Sequence, residues 1–309
     1  MRYLDPKADL TFKKIFGEHK DLLISLLNAL LPLADDEQIE SVEYLSPELV
    51  PETYVGKNSI VDVRCRDVKG RQFIVEMQNA YQTFFKDRSL YYATFPIREQ
   101  AEKGDVWDYQ LKHVYVVALL NYKMSDSAFS PDTINHDIGL LDKQTHRVFN
   151  DKLTFKYVEI SKFDKCLEEL ESNYDKWLYV LRNLSRLDSQ PDYLRNEIFN
   201  RLFSEAEIAH FSKVELREYE DSLKAYRDIK NSLDTAKAEG LAEGFGKGRV
   251  EGHAEGLVEG RAEGLAKGRA EGRSETLVEV AKNLLSIGTP IESIMKATGM
   301  TAVSYTHLR

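Results

Sequence analysis

Cysteine is almost absent: Cys65 and Cys166 are the only two in 309 residues. Their spacing suits neither a metal pair nor a disulfide framework, which points to a reducing compartment, the cytoplasm. No run approaches the ~18 apolar residues that a membrane-spanning helix requires. The opening Met1-Arg2-Tyr3-Leu4-Asp5-Pro6 has no signal-peptide character. A basic surplus is missing too. The net charge is −9, and Lys+Arg against Asp+Glu is 15 to 19 over residues 1–120, 17 to 22 over 121–235 and 10 to 10 over 236–309. No segment is strongly basic, which counts against a tight non-specific DNA binder. P-loops, G-x-G-x-x-G and G-x-S-x-G motifs are also lacking. What is present is a hydrophobic fraction of 42%, enough for a sizeable core, in a length that suits about two domains.

The organising stretch is Ser59 to Gln78, S-I-V-D-V-R-C-R-D-V-K-G-R-Q-F-I-V-E-M-Q. It is expected to form a β-hairpin, with Ile60, Val61 and Val63 on the first arm and Phe73, Ile74 and Val75 on the second. Asp67-Val68-Lys69-Gly70 supplies the turn. Asp62 stands where the first apolar run meets polar residues, and Glu76 and Gln78 occupy that position on the second arm. Strand side chains alternate with period two, so Glu76 and Gln78 share a face. If Asp62 turns to the same side, two carboxylates and an amide converge.

Two close carboxylates repel one another and titrate as a pair unless a cation lies between them. Hard oxygen ligands suit Mg²⁺ or Mn²⁺, which can polarise a phosphodiester and activate water. The plainer alternative is that Asp62 and Glu76 are ordinary solvent-facing strand residues.

Asp-(x13)-Glu-x-Gln resembles the PD-(D/E)XK nuclease signature, with Gln78 in place of the usual lysine. Further pieces are Tyr3-Leu4-Asp5-Pro6-Lys7, Asp9 with Phe12-Lys13-Lys14-Ile15-Phe16-Gly17, Ile60-Val61-Asp62-Val63-Arg64, Val75-Glu76-Met77-Gln78 and Arg88-Ser89-Leu90-Tyr91-Tyr92. In this order they resemble the recombination-promoting nucleases (Rpn), also called PD-(D/E)XK nuclease family transposases, over roughly residues 1–125. The resemblance implies an α/β fold: a restriction-endonuclease-like PD-(D/E)XK core with a mixed sheet flanked by helices, followed by a helical region and a Gly-repeat helical tail. It implies a Mg²⁺- or Mn²⁺-dependent endonuclease acting on DNA, with Asp62, Glu76 and Gln78 as catalytic residues: Asp62 and Glu76 as metal ligands, and Gln78 orienting the attacking water or contacting the scissile phosphate. Asp9, Lys14, Arg88 and Tyr91 are accessory candidates, Lys14 as a lysine displaced from the Gln78 position. The rival is a non-catalytic scaffold or DNA-binding protein that keeps the fold. Lys13, Lys14, Arg64, Arg66, Lys69, Arg71, Lys86 and Arg88 are candidates for a basic rim around the acidic centre.

Helices are expected over Asp9–Gly17, Leu22–Leu31 and from near Thr83 towards Gly104. Strands are expected over Ile39–Leu45, Leu111–Tyr122, Gln144–Asp151 and Leu153–Ile160, with a loop over Pro47–Asn58. Leu111–Tyr122 is apolar enough to be central. His113, His136 and His146 lack ligand spacing and suit structural roles. The organisation expected is a nuclease-like domain over 1–160, a helical appendage over 161–235, a four-residue glycine repeat over 236–273 and a small helical module over 274–309.

Glycine recurs at every fourth position from Gly240 to Gly272. In a flexible linker such spacing serves no purpose. In a helix it cuts a groove that admits another helix closely, despite a cost of about 1 kcal/mol per glycine relative to alanine. A period of 4.0 against 3.6 favours a right-handed crossing. The repeat is thus expected to be a helix stabilised by self-association, which would make the protein a homo-oligomer, or by folding back; a flexible linker is the alternative. The sequence after it suits a helix to Ser286, then a shorter helix behind a Thr289–Glu292 capping box. Helix, turn, helix suits a DNA-reading module, but the few basic residues favour a packing or dimer module. Ala302–Arg309 continues no pattern.

Overall fold

A computed structural model describes residues 2–49, 59–101, 108–126 and 128–301. Most of the loop up to Asn58, Gly104 itself and Ala302–Arg309 lie outside the described residues. The third helix, expected to run towards Gly104, ends earlier, at Arg98. The chain divides into two compact units, Met1–Ser232 and Leu233–Arg309.

The first unit opens with α1 (Asp9–Glu18) and α2 (Lys20–Leu30). Apolar residues at i, i+3 and i+4 bury Phe12, Ile15 and Phe16 of α1, and Leu22, Leu23, Leu26, Leu27 and Leu30 do the same for α2. Gly17 falls inside the last turn of α1, and His19 in extended backbone ends the helix. The strands are β1 (Val42–Tyr44), β2 (Glu48–Leu49), β3 (Ser59–Ile60), β4 (Val63–Asp67), β5 (Gln72–Gln78), β6 (Val114–Leu120), β7 (Asn135–Leu141) and β8 (Val148–Glu159), with α3 (Phe85–Arg98) between β5 and β6. The main sheet has the order β1-β4-β5-β6-β8-β7, and β2 and β3 pair separately.

β4 and β5 form the expected hairpin, with Val63 opposite Val75 and Arg66 opposite Gln72. Gly70 takes φ +80° in the turn, a conformation that a Cβ penalises. β5 then runs parallel to β6, and β6 parallel to β8. A parallel neighbour needs a crossover, and α3 supplies it between β5 and β6. Both central strands are buried along their whole length. Phe73, Val75 and Met77 enter the main core with Tyr115, Val117 and Leu119. Ile74 packs on the opposite face with Tyr92, Ala93 and Phe95 of α3. The period of two therefore turns Glu76 and Gln78 towards α3 as well.

The far edge differs from the expectation. Gln144–Asp151 and Leu153–Ile160 are not two paired strands. One twelve-residue strand, β8, covers Val148–Glu159, and its hairpin partner is β7, with irregular register at Gly139–Leu141. The Asn150-Asp151-Lys152 interruption is polar because that half of β8 is exposed, so no core demands apolar residues there. His113 stacks on Tyr115 at 3.8 Å, and burial pushes its imidazole down to about 4. His136 reaches the buried Glu159 at 3.0 Å.

α4 (Asn173–Asn183), α5 (Glu197–Glu205) and the start of α6 (Lys213–Ser286) complete the unit. The boundary expected at residue 160 falls inside the core. Trp177, Leu178, Leu181, Phe199, Leu202 and Phe203 belong to the same buried cluster as α1, α2 and the sheet. Trp177 Nε1 donates to Ser25 Oγ at 3.1 Å, and its ring lies 5.7 Å from that of Phe16.

The second unit contains the rest of α6 and α7 (Ile291–Thr298). Every repeat glycine from Gly240 to Gly272 lies within the helix, and a Cβ built on any of them meets nothing within 4 Å. Pro290 is the N-cap of α7, and no side-chain cap is made, so the expected capping box is not formed. Ala281 and Ile294 are buried.

Candidate metal-binding and phosphodiester site

The first strand arm breaks between β3 and β4, and Asp62 occupies the break. Its carboxylate substitutes for the missing ladder partner: Oδ2 accepts the Met77 backbone N–H at 2.7 Å. Its own backbone N–H donates to Glu76 Oε1 at 3.2 Å. Gln78, two residues along the same face, donates from Nε2 to Glu76 Oε2 at 2.9 Å. That bond fixes the amide, and Gln78 Oε1 accepts from Arg88 Nη2 at 2.8 Å. Arg88 also stands 3.9 Å from Glu76 Oε2 and hydrogen-bonds Gln82. The guanidinium lies over the rings of Phe85 and Tyr92.

Both acids are nearly enclosed, with side-chain exposures of 15% for Asp62 and 4% for Glu76. Burial is the main reason that each carboxyl is pushed well above its ordinary range. The Asp62 charge adds to this at Glu76. At Asp62 the Met77 N–H and the Lys13 charge oppose it. The two line a cleft of about 730 Å³ together with Asp5, Asp9, Lys13, Arg88 and Tyr92, and with Tyr219 and Tyr226 from α6.

A family model, the PD-(D/E)XK nuclease family transposase, matches residues 6–236. The chain belongs to this family. No curated protein and no solved structure matches it. The match ends within α6, so the PD-(D/E)XK region takes in α4, α5 and the start of α6 as well as the sheet.

Within the PD-(D/E)XK unit, Asp62, Glu76, Gln78 and Arg88 come together. Asp9 lines the same cleft but reaches the pair only through Lys13, whose Nζ is 2.7 Å from Asp9 Oδ1 and 3.8 Å from Asp62 Oδ1. Burial works against the Lys13 charge. The Asp9 hydrogen bond and the surrounding carboxylates outweigh it and hold the ammonium above its ordinary value. Lys14 points elsewhere: it pairs with Glu215 and covers the Phe211 ring at 4.2 Å. The lysine that approaches the site is therefore Lys13, expected only as part of a basic rim, rather than its neighbour Lys14. Tyr91 stacks edge-on against Phe95 at 5.1 Å, while its neighbour Tyr92 lines the cleft. Arg88 and Tyr92 are four apart and share a helix face, the spacing that would have identified Tyr92.

The broad basic rim does not form. Arg64 pairs with Glu99, Arg66 with Glu43, Lys69 and Arg71 with Glu37 and Lys86 with Asp126. Of the eight expected cations, Lys13 and Arg88 line the cleft. Among the described residues, no group of three or more His, Cys, Asp or Glu side chains is arranged to hold a metal. Two carboxylates still fit Mg²⁺, which keeps several waters and binds through one or two carboxylates plus substrate phosphate. The raised carboxyls fit such an ion too, since a divalent charge between them favours the ionised form that burial disfavours.

Proposed function

We propose that this protein is a Mg²⁺-dependent (or Mn²⁺-dependent) DNA endonuclease of the recombination-promoting type, hydrolysing phosphodiester bonds. The observation that carries the reading is the buried Asp62–Glu76 pair, joined through the Asp62 amide and flanked by Lys13 and Arg88. Asp62 and Glu76 would hold the cation with the Met77 carbonyl. Such an ion, when bound, supplies Lewis acidity towards the phosphodiester and a water of lowered pKa. Gln78 fixes the Glu76 carboxylate with one end of its amide and receives Arg88 at the other. Arg88 and Lys13 bring the positive charge that the usual lysine would have carried at position 78. The protein would work in the cytoplasm, with both thiols reduced, and self-associate through residues 236–273.

The test is cleavage of plasmid and linear DNA with Mg²⁺ or Mn²⁺, wild type beside Asp62→Ala. Cleavage that Asp62→Ala abolishes supports the reading. Intact DNA over a broad range of conditions favours the second reading, a non-catalytic scaffold or DNA-binding protein. The observation behind that alternative is that both Asp62 and Gln78 are already committed to internal hydrogen bonds.

A further inference from the structure

The cleft has a second wall outside the sheet and α3. Tyr219, Ser222, Leu223, Tyr226 and Arg227 of α6 line it, at spacings of three and four that lie on one face of a helix. This face is held in register at its N-terminal end. Tyr219 is buried with Leu4, Ala8 and Phe211, and its hydroxyl accepts the Asp5 backbone N–H at 3.0 Å. Lys14 pairs with Glu215 one turn earlier. Arg227, eight residues beyond Tyr219, therefore projects from the anchored face about 12 Å further along the axis.

Three cations line the cleft: Lys13, Arg88 and Arg227. Lys13 is held by Asp9, and Arg88 by Gln78 and Gln82. Arg227 is exposed, and among the described residues it makes no hydrogen bond or ion pair. A cleft with Asp5, Asp9, Asp62 and Glu76 on its lining repels a polyanion, so DNA needs an uncommitted cation on that lining. A guanidinium suits this because it can grip a phosphate through two N–H groups at once.

We infer that Arg227 binds a backbone phosphate next to the scissile one, and that the first turns of α6 form the outer wall of the substrate channel. The inference rests on the nuclease reading and assigns that site a binding residue on a helix outside its sheet.

The experiment measures binding of a fluorescent oligonucleotide duplex to the full chain carrying Asp62→Asn, with Ca²⁺ present, over a series of salt concentrations. Arg227→Ala should weaken binding about tenfold and reduce the slope of log affinity against log salt by about one. Arg227→Lys should keep the slope and lose only part of the affinity. Arg217→Ala, on the same helix but outside the cleft lining, should leave the slope unchanged. In chains with Asp62 intact, Arg227→Ala should raise KM and spare kcat. Melting temperature and helicity of Arg227→Ala should match those of the parent, which separates lost binding from lost fold. An unchanged slope in Arg227→Ala, or an equal loss in Arg217→Ala, overturns the inference. If cleavage is nevertheless abolished by Asp62→Ala, the nuclease reading survives alone. If the wild type neither binds nor cuts DNA, both fall.

Discussion

The backbone N–H of Asp62 donates to Oε1 of Glu76 at 3.2 Å, so the two acids meet at the break in the first strand arm rather than across a regular ladder. Their proximity has a pH signature. Both carboxyls are raised from ordinary values of 3.8 and 4.5, first by burial. The folded chain therefore keeps protons that the unfolded chain has released. Stability falls with rising pH wherever the folded state binds more protons, so the metal-free protein loses stability progressively above about pH 4 through the raised range. With EDTA, the melting temperature should be lower at about pH 8 than at about pH 5. Mg²⁺ should raise it, and by more at the higher pH. Glu76→Gln should flatten the EDTA profile and remove the Mg²⁺ shift. A Mg²⁺ shift that persists in Glu76→Gln would take Glu76 out of the site.

Lys13 and Lys14 are adjacent, yet their surroundings differ entirely. Lys13 stands between Asp9 and Asp62, while Lys14 ties α1 to Glu215. Lys13→Met should lower DNA cleavage by about 10²- to 10³-fold, the usual effect of removing one fixed charge from a reacting centre. Lys14→Met should leave the cleavage rate much closer to wild type, because its charge is spent on α6. Parallel initial-rate measurements decide the matter, and equal losses would mean that Lys13 has no special part.

Replacing Gln78 by lysine would restore the familiar PD-(D/E)XK signature, but the surroundings of Gln78 argue against a gain. Gln78 Oε1 accepts from Arg88 at 2.8 Å. A lysine cannot accept, and its ammonium would face a guanidinium. Gln78→Lys alone should reduce cleavage, and Gln78→Lys with Arg88→Gln should recover part of it. If the single variant is the more active of the two, Arg88 is not the substitute for the missing lysine.

Which parts of this site were legible in advance follows from what encodes them. Asp62, Glu76 and Gln78 lie on neighbouring arms of one hairpin, so the Gly70 turn brings the arms together and period two puts Glu76 and Gln78 on one face. The side that Asp62 takes, in a break between strands, is not encoded by that alternation. Lys13 reaches Asp62 only because α1 packs beneath β4, a long-range arrangement that no local pattern records. Arg88 was legible in part, since helical spacing defines its face but not that face's direction. β7 was missed because Asn135–Leu141 is largely exposed and carries an internal glycine, so no buried face imposes alternation. Trp177, Leu178 and Leu181 recur at helical spacing, but periodicity alone does not say whether such a stripe packs on the first core or builds another.

The glycine repeat poses the sharpest energetic question. Alanine at each exposed helical position would stabilise the helix by about 1 kcal/mol, and among the described residues nothing lies within 4 Å of a Cβ built there. Small residues at a fixed spacing are useful where another backbone comes close, and a second copy of the tail offers a matching surface. The wild type should therefore be an oligomer by light scattering, and removing residues 236–309 should lower its mass while leaving the first unit folded. Gly252→Leu, Gly256→Leu and Gly260→Leu together should also lower the mass, because bulky side chains fill the groove. The matching alanine triple should keep the mass and raise helicity. A solitary helix responds differently: leucine and alanine are both good helix formers, so both triples would raise helicity with no change in mass. That pattern, in a wild type already monomeric, would refute association through the tail.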